Sequence, residues 1–273
     1  PENYGGSGGN FMDLTILLEE MGRACLPGPF FSSVVLGAIP LLLAGNNDQK
    51  QKYLGEIAQG KKIFTTALME ANGQIDPDSV KATALRDNGV FRIDGVKMFV
   101  PDVGVSDIII CVARTTNGEG DVSLFLIDPQ QNDLNFTLLP TIACDKLYEV
   151  IFHNSATFPE GTLGTLQEGR NNIEEIIKYA SVAKCADMVG ASRKVLEMTV
   201  GYALQRVQFD RLIGTFQSVQ HHCANMLIGL SASEMLTHQA AWMLGEQQPG
   251  TKEASMAKAV VSDACSRICL LGH

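Results

Sequence analysis

The residues best suited to binding chemistry cluster at a break between two helical patterns, within residues 202–226. Guanidinium groups bind phosphate or carboxylate oxygens, and aromatic rings stack on flat ring systems. The set therefore predicts a site for a large, flat, anionic ligand, although an ordinary helix–helix corner could use the same residues. Its members are Arg206, Gln208, Phe209, Phe216 and Gln217.

Other clusters offer weaker chemistry. The glycines in residues 1–9 follow no strand pattern and precede no Lys-Ser/Thr pair, so they predict a surface loop rather than a phosphate loop. Cys265, Cys269 and His273 share a helical face, but this sparse set does not predict a metal site. Residues 5–9 match Gly-x-Ser-x-Gly letter for letter, but no strand pattern precedes them, so they do not predict a nucleophile elbow.

Apolar residues recur with helical periodicity at both ends of the chain. Near the start, it predicts a kink at Pro40 and a helix cap at Asp48. Towards the end, Thr251 is a candidate cap, and small residues over 180–191 favour close approach of another helix. The predicted helices are residues 11–24, 32–44, 49–59, 171–206, 216–246 and 251 to the end.

The middle of the chain has the short alternating patterns and turn residues of β-strands. The apolar run at 106–113 predicts a strand that is buried on both faces. Short strands of this kind, about seven or eight in number, predict a compact barrel or sandwich. They lie at residues 63–69, 80–85, 90–93, 96–100, 106–113, 122–127, 134–138 and 149–152.

Composition limits the classes of protein to consider. The chain has 273 residues, of which 45% are hydrophobic and 19% charged, as expected for a globular protein with a sizeable core. Its net charge of -9 argues against nucleic-acid binding. Seven scattered cysteines favour a reducing compartment, the cytoplasm or a mitochondrial matrix. The longest apolar run, residues 34–44, is too short to predict a membrane span.

Four motifs, met in order along nearly the whole chain, resemble those of the acyl-CoA dehydrogenase family. The first is PENYGGSGG at residues 1–9, and the second is AGNNDQKQKYL at 44–54. The third is IDGVKMFV at 93–100. The fourth and most specific is YALQRVQF at 202–209, followed by IGTFQ at 213–217.

The resemblance implies an α+β fold with an N-terminal α-helical domain, a middle β-barrel and a C-terminal bundle of long helices. The corresponding boundaries are 1–62 for a partial first domain, 63–167 for the barrel and 168–273 for a truncated last domain. Parts of the family fold before residue 1 and after residue 273 are expected to be missing.

The family's activity is the α,β-desaturation of an acyl-CoA thioester, with FAD as cofactor. The resemblance also implies an electron-transfer flavoprotein as electron acceptor and an assembly that is a dimer of dimers, homo- or hetero-oligomeric. In such an assembly the residues around Arg206 contact the FAD of a neighbouring subunit. FAD-binding residues implied by the match are Leu68, Met69, Phe99, Pro101, Arg206, Gln208, Phe209, Ile213, Phe216 and Gln217.

Residues expected to face the flavin and substrate depart from the family pattern. Met69 stands where the family has Thr, and Ile75 where it has a Ser that helps to hold the acyl-CoA. Pro101 also replaces a Thr and has no backbone N–H to donate. Tyr179 and Ala180 occupy positions on the long helix where one branch of the family has its catalytic base and a neighbouring Arg.

The catalytic base is therefore unidentified in the sequence. Glu175, one helical turn before Tyr179, is a weak candidate, and the commoner branch of the family predicts a base beyond His273. Two interpretations follow from the resemblance. The chain is either a working acyl-CoA dehydrogenase or a degenerate, non-catalytic subunit that completes the FAD site of a partner. A third and least favoured interpretation is a non-enzymatic helical scaffold or binding module of this fold.

Overall fold

The computed structural model describes residues 1–115, 122–130 and 134–273. The chain forms two compact units. The first comprises residues 1–8 and 28–177, and the second comprises residues 9–27 and 178–273. The helices are α1 Phe11–Arg23, α2 Ile39–Ala44, α3 Asn47–Ala58, α4 Gly169–Ala203, α5 Gln217–Gly245 and α6 Thr251–Gly272.

The strands of the first unit form one mixed eight-stranded sheet with the order β6-β7-β3-β2-β4-β5-β8, and β1 pairs with β4 in parallel. A separate hairpin in the second unit contains β9 and β10. The strands are β1 Phe64–Ala67, β2 Thr83–Asp87, β3 Val90–Pro101, β4 Ile108–Thr115, β5 Val122–Ile127, β6 Asn135–Leu138, β7 Leu147–Ala156, β8 Thr162–Leu163, β9 Val207–Gln208 and β10 Arg211–Leu212.

Strands β4 and β5 lie at the centre of the first unit because both of their faces are buried. One face contributes Ile109 and Phe125 to a core shared with β2, β3 and β7. The opposite face contributes Ile110 and Leu124 to a core that includes Tyr53 of α3. The apolar run at 106–113 predicted this buried strand, and the prediction is confirmed.

A π-helix over Phe31–Ala38 precedes α2, so the predicted helix at 32–44 consists of two segments. Pro40 lies in the first turn of α2, where its missing N–H is tolerated. Asn46, rather than Asp48, caps α3: its side chain accepts a hydrogen bond from the Gln49 amide at 2.8 Å. The prediction for Asp48 is wrong because Asp48 is already helical.

In the second unit, α1 packs closely against α4. A Cβ added to Gly190 of α4 would lie 1.8 Å from the Glu19 carbonyl oxygen of α1. A Cβ added to Gly22 would lie 2.0 Å from the Asp187 carbonyl oxygen. The small residues of α4 thus admit a neighbouring helix, as predicted, and that helix is α1.

The polar contacts of this unit also join α1, α4 and α5. Glu19 is buried and bonds the His238 Nε2 atom at 2.5 Å, while Arg193 donates to Glu234 at 2.8 Å. The prediction that Thr251 caps α6 is wrong: Thr251 is the first helical residue, and Gly250, in left-handed geometry, occupies the cap position. Across the residues that the structure describes, no helix has the length and apolar character needed to cross a membrane.

Candidate functional site

The sequence set around Arg206 forms a compact elbow, defined as residues 203–217, between α4 and α5. The Arg206 amide donates to the Tyr202 carbonyl at 2.9 Å and so ends the α4 turn. The chain then makes the two-stranded hairpin of β9 and β10, and the Ile213 amide donates back to the Arg206 carbonyl at 2.9 Å. These local bonds fix the elbow without help from distant segments.

The hairpin tip presents an aromatic ring to solvent. Phe209 and Asp210 both have positive φ, 54° and 59°, as the two central residues of a type I′ turn require. A bulky residue in this region is a genuine outlier. The turn leaves Phe209 85% exposed, which indicates a ring held out for a ligand or a partner rather than for the core.

The aromatic rings of the elbow are ordered by contacts with each other and with a cation. Phe209 and Phe216 meet edge to face, with ring centroids 6.1 Å apart. The Arg211 guanidinium lies over the Phe216 ring, 4.0 Å from its centroid. Arg211 was missed in the sequence, although its position between Phe209 and Phe216 was the available signal.

Positive charge at the elbow is available to an anion. Arg206 is exposed and forms no ion pair with any residue that the structure describes. Phe216 is the N-cap residue of α5, and its side chain forms no capping hydrogen bond. Gln217, the first residue of the helix, is exposed. Open N–H groups at a helix N-terminus attract negative charge.

The flavin-facing positions of the sequence prediction come together in the first unit, along an edge defined as residues 68–70 and 97–101. The Met98 amide donates to the Met69 carbonyl at 2.9 Å. The Thr65 hydroxyl donates to the Pro101 carbonyl at 2.6 Å. These bonds place Leu68 and Met69, which follow β1, beside Phe99 and Pro101 at the end of β3.

This edge exposes one aromatic ring and few polar atoms. Phe99 has φ 55° and is 46% exposed, at a register shift in the pairing of β3 with β7. Pro101 has no N–H, and its carbonyl is already occupied by Thr65. The Met69 amide, in contrast, donates to no atom of the described chain.

A buried ion pair joins the two segments of the edge, and sequence reasoning missed it. The Lys97 Nζ atom donates to Glu70 Oε1 at 2.8 Å and to the Leu68 carbonyl at 3.2 Å. Glu70 also accepts hydrogen bonds from the Lys81 and Ala82 amides. Burial raises the pKa of the Glu70 carboxyl, but the bonds from Lys97 and the two amides outweigh burial and hold that pKa below its ordinary value.

The predicted substrate and base positions do not gather into one described cluster. Ile75 is exposed on the loop after β1. Tyr179 packs edge to face on Phe11, with centroids 4.8 Å apart, and its hydroxyl donates to the Leu244 carbonyl at 3.2 Å. Ala180 and Glu175 are half-buried on α4. Glu175 belongs to the first unit, whereas Tyr179 and Ala180 belong to the second.

The elbow and the edge suit different parts of an FAD molecule, and the elbow offers more binding groups than the edge. The elbow offers a free guanidinium, two aromatic rings and open helix N–H groups, which suit a pyrophosphate and an adenine. The edge offers the Phe99 ring and the Met69 amide, which suit a flat ring that accepts one backbone hydrogen bond. Side-chain hydroxyl donors are missing there, because Met69 and Pro101 have none.

Three family models match this chain, and together they cover most of it. They are "Acyl-CoA dehydrogenase, N-terminal domain" over residues 1–61, the middle domain over 65–154 and the C-terminal domain over 167–271. Curated relatives are similar over nearly the full chain. A 3-(aryl)acrylate reductase of Clostridium sporogenes is 30% identical over 98% of this chain and 73% of its own length. An acyl-CoA dehydrogenase of Bacillus subtilis is 31% identical, covering 99% and 73%.

Other similar proteins include a subunit of a complex and two proteins of solved structure. The subunit CarC of a caffeyl-CoA reductase–Etf complex from Acetobacterium woodii is 29% identical over 98% of this chain and 73% of its own length. Butyryl-CoA dehydrogenase from Megasphaera elsdenii has a TM-score of 0.92 at 25% identity, covering 100% of this chain and 74% of that one. An FAD complex of PigA has a TM-score of 0.90 at 25% identity, covering 100% and 73%.

Proposed function

This chain belongs to the acyl-CoA dehydrogenase family, and from that premise we propose that it takes part in the FAD-dependent α,β-desaturation of an acyl-CoA thioester. FAD is the cofactor of this family of flavoprotein oxidoreductases. The observation that carries the proposal is the elbow, where Arg206, Phe209 and Phe216 suit the binding of a flat anion.

Each elbow residue has a distinct role in the proposed FAD site. Arg206 neutralises pyrophosphate oxygens, aided by the open N–H groups at the start of α5. Phe209 and Phe216 contact the adenine ring, and Arg211 holds the Phe216 ring in its orientation. The side-chain amides of Gln208 and Gln217 bond polar edges of the ligand. Ile213 supports the turn.

At the edge, the chain's own atoms orient the flavin ring. The Met69 amide donates a hydrogen bond to it, and the Phe99 ring covers one side, with Leu68 and Pro101 supporting the backbone. Bound FAD would supply the acceptor for a hydride from the acyl β carbon, and a carboxylate would remove the α proton. Glu175 is a weak candidate for that carboxylate, because it lies one helical turn before the family's position at Tyr179. Ile75, Tyr179 and Ala180 are candidates for substrate contact.

The proposed partners follow from the same premise. An electron-transfer flavoprotein receives the electrons, which is supported by the relative described as part of a reductase–Etf complex. The assembly is a dimer of dimers in which the elbow serves the FAD of a neighbouring subunit. The exposed, unpaired state of Arg206 supports this role for the elbow.

A second candidate function is supported by the composition of the edge. Met69 and Pro101 provide no side-chain donor, and the Pro101 carbonyl is already bonded to Thr65. A subunit with this edge could complete a partner's FAD site through its elbow without carrying out the reaction itself. The chain would then be the non-catalytic member of a hetero-oligomer.

Flavin content distinguishes the two candidates. We propose to express the full-length chain alone and then with a co-expressed homologue, and to record the flavin absorbance per chain. A stoichiometric flavoprotein that bleaches with an acyl-CoA supports the self-sufficient enzyme. A colourless chain that acquires flavin only with its homologue supports the partner role. A chain that never carries flavin in either preparation contradicts both.

A further inference from the structure

Lys97 is placed where a lysine is rarely found. Its side chain, on β3, is 0% exposed, and the Glu70 side chain is 9% exposed. Lysines are almost never fully buried unless they are paired, because a desolvated charge is unfavourable. Replacing both members of a buried ion pair with well-packed apolar residues is often neutral or stabilising. Stability alone therefore does not explain this pair.

Apart from the bond between the two side chains, the polar contacts of the pair are with backbone groups. Glu70 accepts from the Lys81 amide at 2.9 Å and from the Ala82 amide at 3.0 Å, besides its bond from Lys97. Lys97 uses its remaining contact for the Leu68 carbonyl at 3.2 Å. The pair thus has partners for its charges and also fixes one specific peptide group.

That peptide group is the one that carries the free Met69 amide. The Leu68 carbonyl and the Met69 N–H belong to the same planar peptide unit and point in opposite directions. A hydrogen bond that holds the carbonyl therefore aims the N–H. The next residue of β3, Met98, bonds the Met69 carbonyl, so both ends of Met69 are held.

The same segment of β3 also fixes the backbone conformation that orients the Phe99 ring. Lys97 and Met98 immediately precede Phe99, whose left-handed φ of 55° is strained for an aromatic residue. Such a conformation persists only when its surroundings over-determine it. The anchored residues on one side and the Thr65 bond to Pro101 on the other provide that constraint.

We infer that Lys97 and Glu70 form a positioning pair, which aims the Met69 amide and the Phe99 ring at the flavin ring. Neither residue touches the flavin in this role; both act through the backbone of the edge. The inference rests on the proposed function, since it assumes that the edge binds FAD.

The test compares Lys97→Met with the double variant Lys97→Met/Glu70→Gln in the full-length protein, prepared with its homologue if flavin requires one. Lys97→Met leaves a buried carboxylate unpaired and lowers stability. The double variant removes that charge and recovers thermal stability, so it carries the test if the single variant fails to fold. We expect its Kd for FAD to rise about tenfold or more. We also expect the visible absorption bands of the flavin to shift at saturating FAD.

Arg193→Met is the matched control. It breaks the partly buried contacts of Arg193 with Glu234 and Glu19 in the second unit, and is expected to lower thermal stability without moving the flavin bands. A double variant with the Kd and spectrum of the wild type overturns the inference and leaves the proposed function standing. A wild-type protein that takes up no FAD in either preparation overturns the proposed function and this inference with it.

Discussion

The elbow and the edge differ in how their polar groups are used within the chain. At the elbow, Arg206 is unpaired within the described residues and Phe209 is almost fully in solvent. At the edge, the Leu68, Met69 and Pro101 carbonyls all accept hydrogen bonds from neighbouring residues. The elbow is therefore organised for an external partner, whereas the edge is largely satisfied internally.

This difference has a consequence for mutations. Residues that bind only an external ligand contribute little to folding, so their loss should lower affinity and leave stability intact. Residues that hold the edge contribute to both. The comparison is tested most directly by measuring stability and FAD affinity on the same variants.

The largest expected effect is on stability, from Lys97→Met. Breaking a buried ion pair by removing one partner typically costs about 3–5 kcal/mol, because the other charge stays buried. Urea unfolding followed by circular dichroism measures this loss. Arg206→Met, which removes an exposed cation, should change the unfolding free energy by no more than about 0.5 kcal/mol. Equal losses of unfolding free energy in the two variants would contradict this difference between the elbow and the edge.

The next effect is on affinity, from Arg206→Ala. A hydrogen bond to a charged group contributes about 1.5–3 kcal/mol, so the Kd for FAD should rise at least about tenfold. Flavin retained through gel filtration and fluorescence titration both measure it. Arg206→Lys should lose less affinity because the charge remains. Lys252→Ala is the control for the loss of an exposed cation elsewhere, and unchanged retention in Arg206→Ala would contradict the role of the elbow.

The elbow could be predicted from the sequence because its residues are neighbours in the chain. Its rings and cations lie within residues 206–217, and the bonds that shape the hairpin are local. The buried strand at 106–113 was predictable for a similar reason, since a continuous apolar run needs no knowledge of its partners. Small residues on α4 predicted a close helix neighbour, but only the tertiary structure identifies α1.

The edge could not be predicted in the same way. Strict alternation along β3 would put Val96 and Val100 on one face and Lys97 on the other. The structure instead buries Lys97 and Val100 and exposes 39% of Val96, because the chain changes register between Lys97 and Val100. Glu70 is distant in sequence, so nothing in the local pattern indicates the ion pair.

The pH dependence of stability offers a third test, of intermediate size. The folded-state pKa of Glu70 is lowered, so its ionised form stabilises the fold above the unfolded-state pKa, about 4.3 for glutamate. That contribution is lost as pH falls through the folded-state pKa. The stability difference between wild type and Glu70→Gln should therefore be constant from about pH 6 to 8 and shrink below about pH 4. Urea titrations across this range measure it, and a difference that grows on acidification would reverse the assigned direction.

The smallest expected effect lies at the hairpin tip, where Asp210 carries a negative charge beside a site proposed for an anion. Asp210→Asn removes the charge and keeps a side chain that tolerates left-handed φ, so FAD affinity should rise about twofold with unchanged stability. Asp210→Gly also relieves the backbone at φ 59° and should add about 0.5 kcal/mol of stability at most. Fluorescence titration and thermal unfolding separate the two contributions. Weaker binding in both variants would instead identify the Asp210 carboxylate as a ligand contact, and the elbow would then bind through paired charges rather than through positive charge alone.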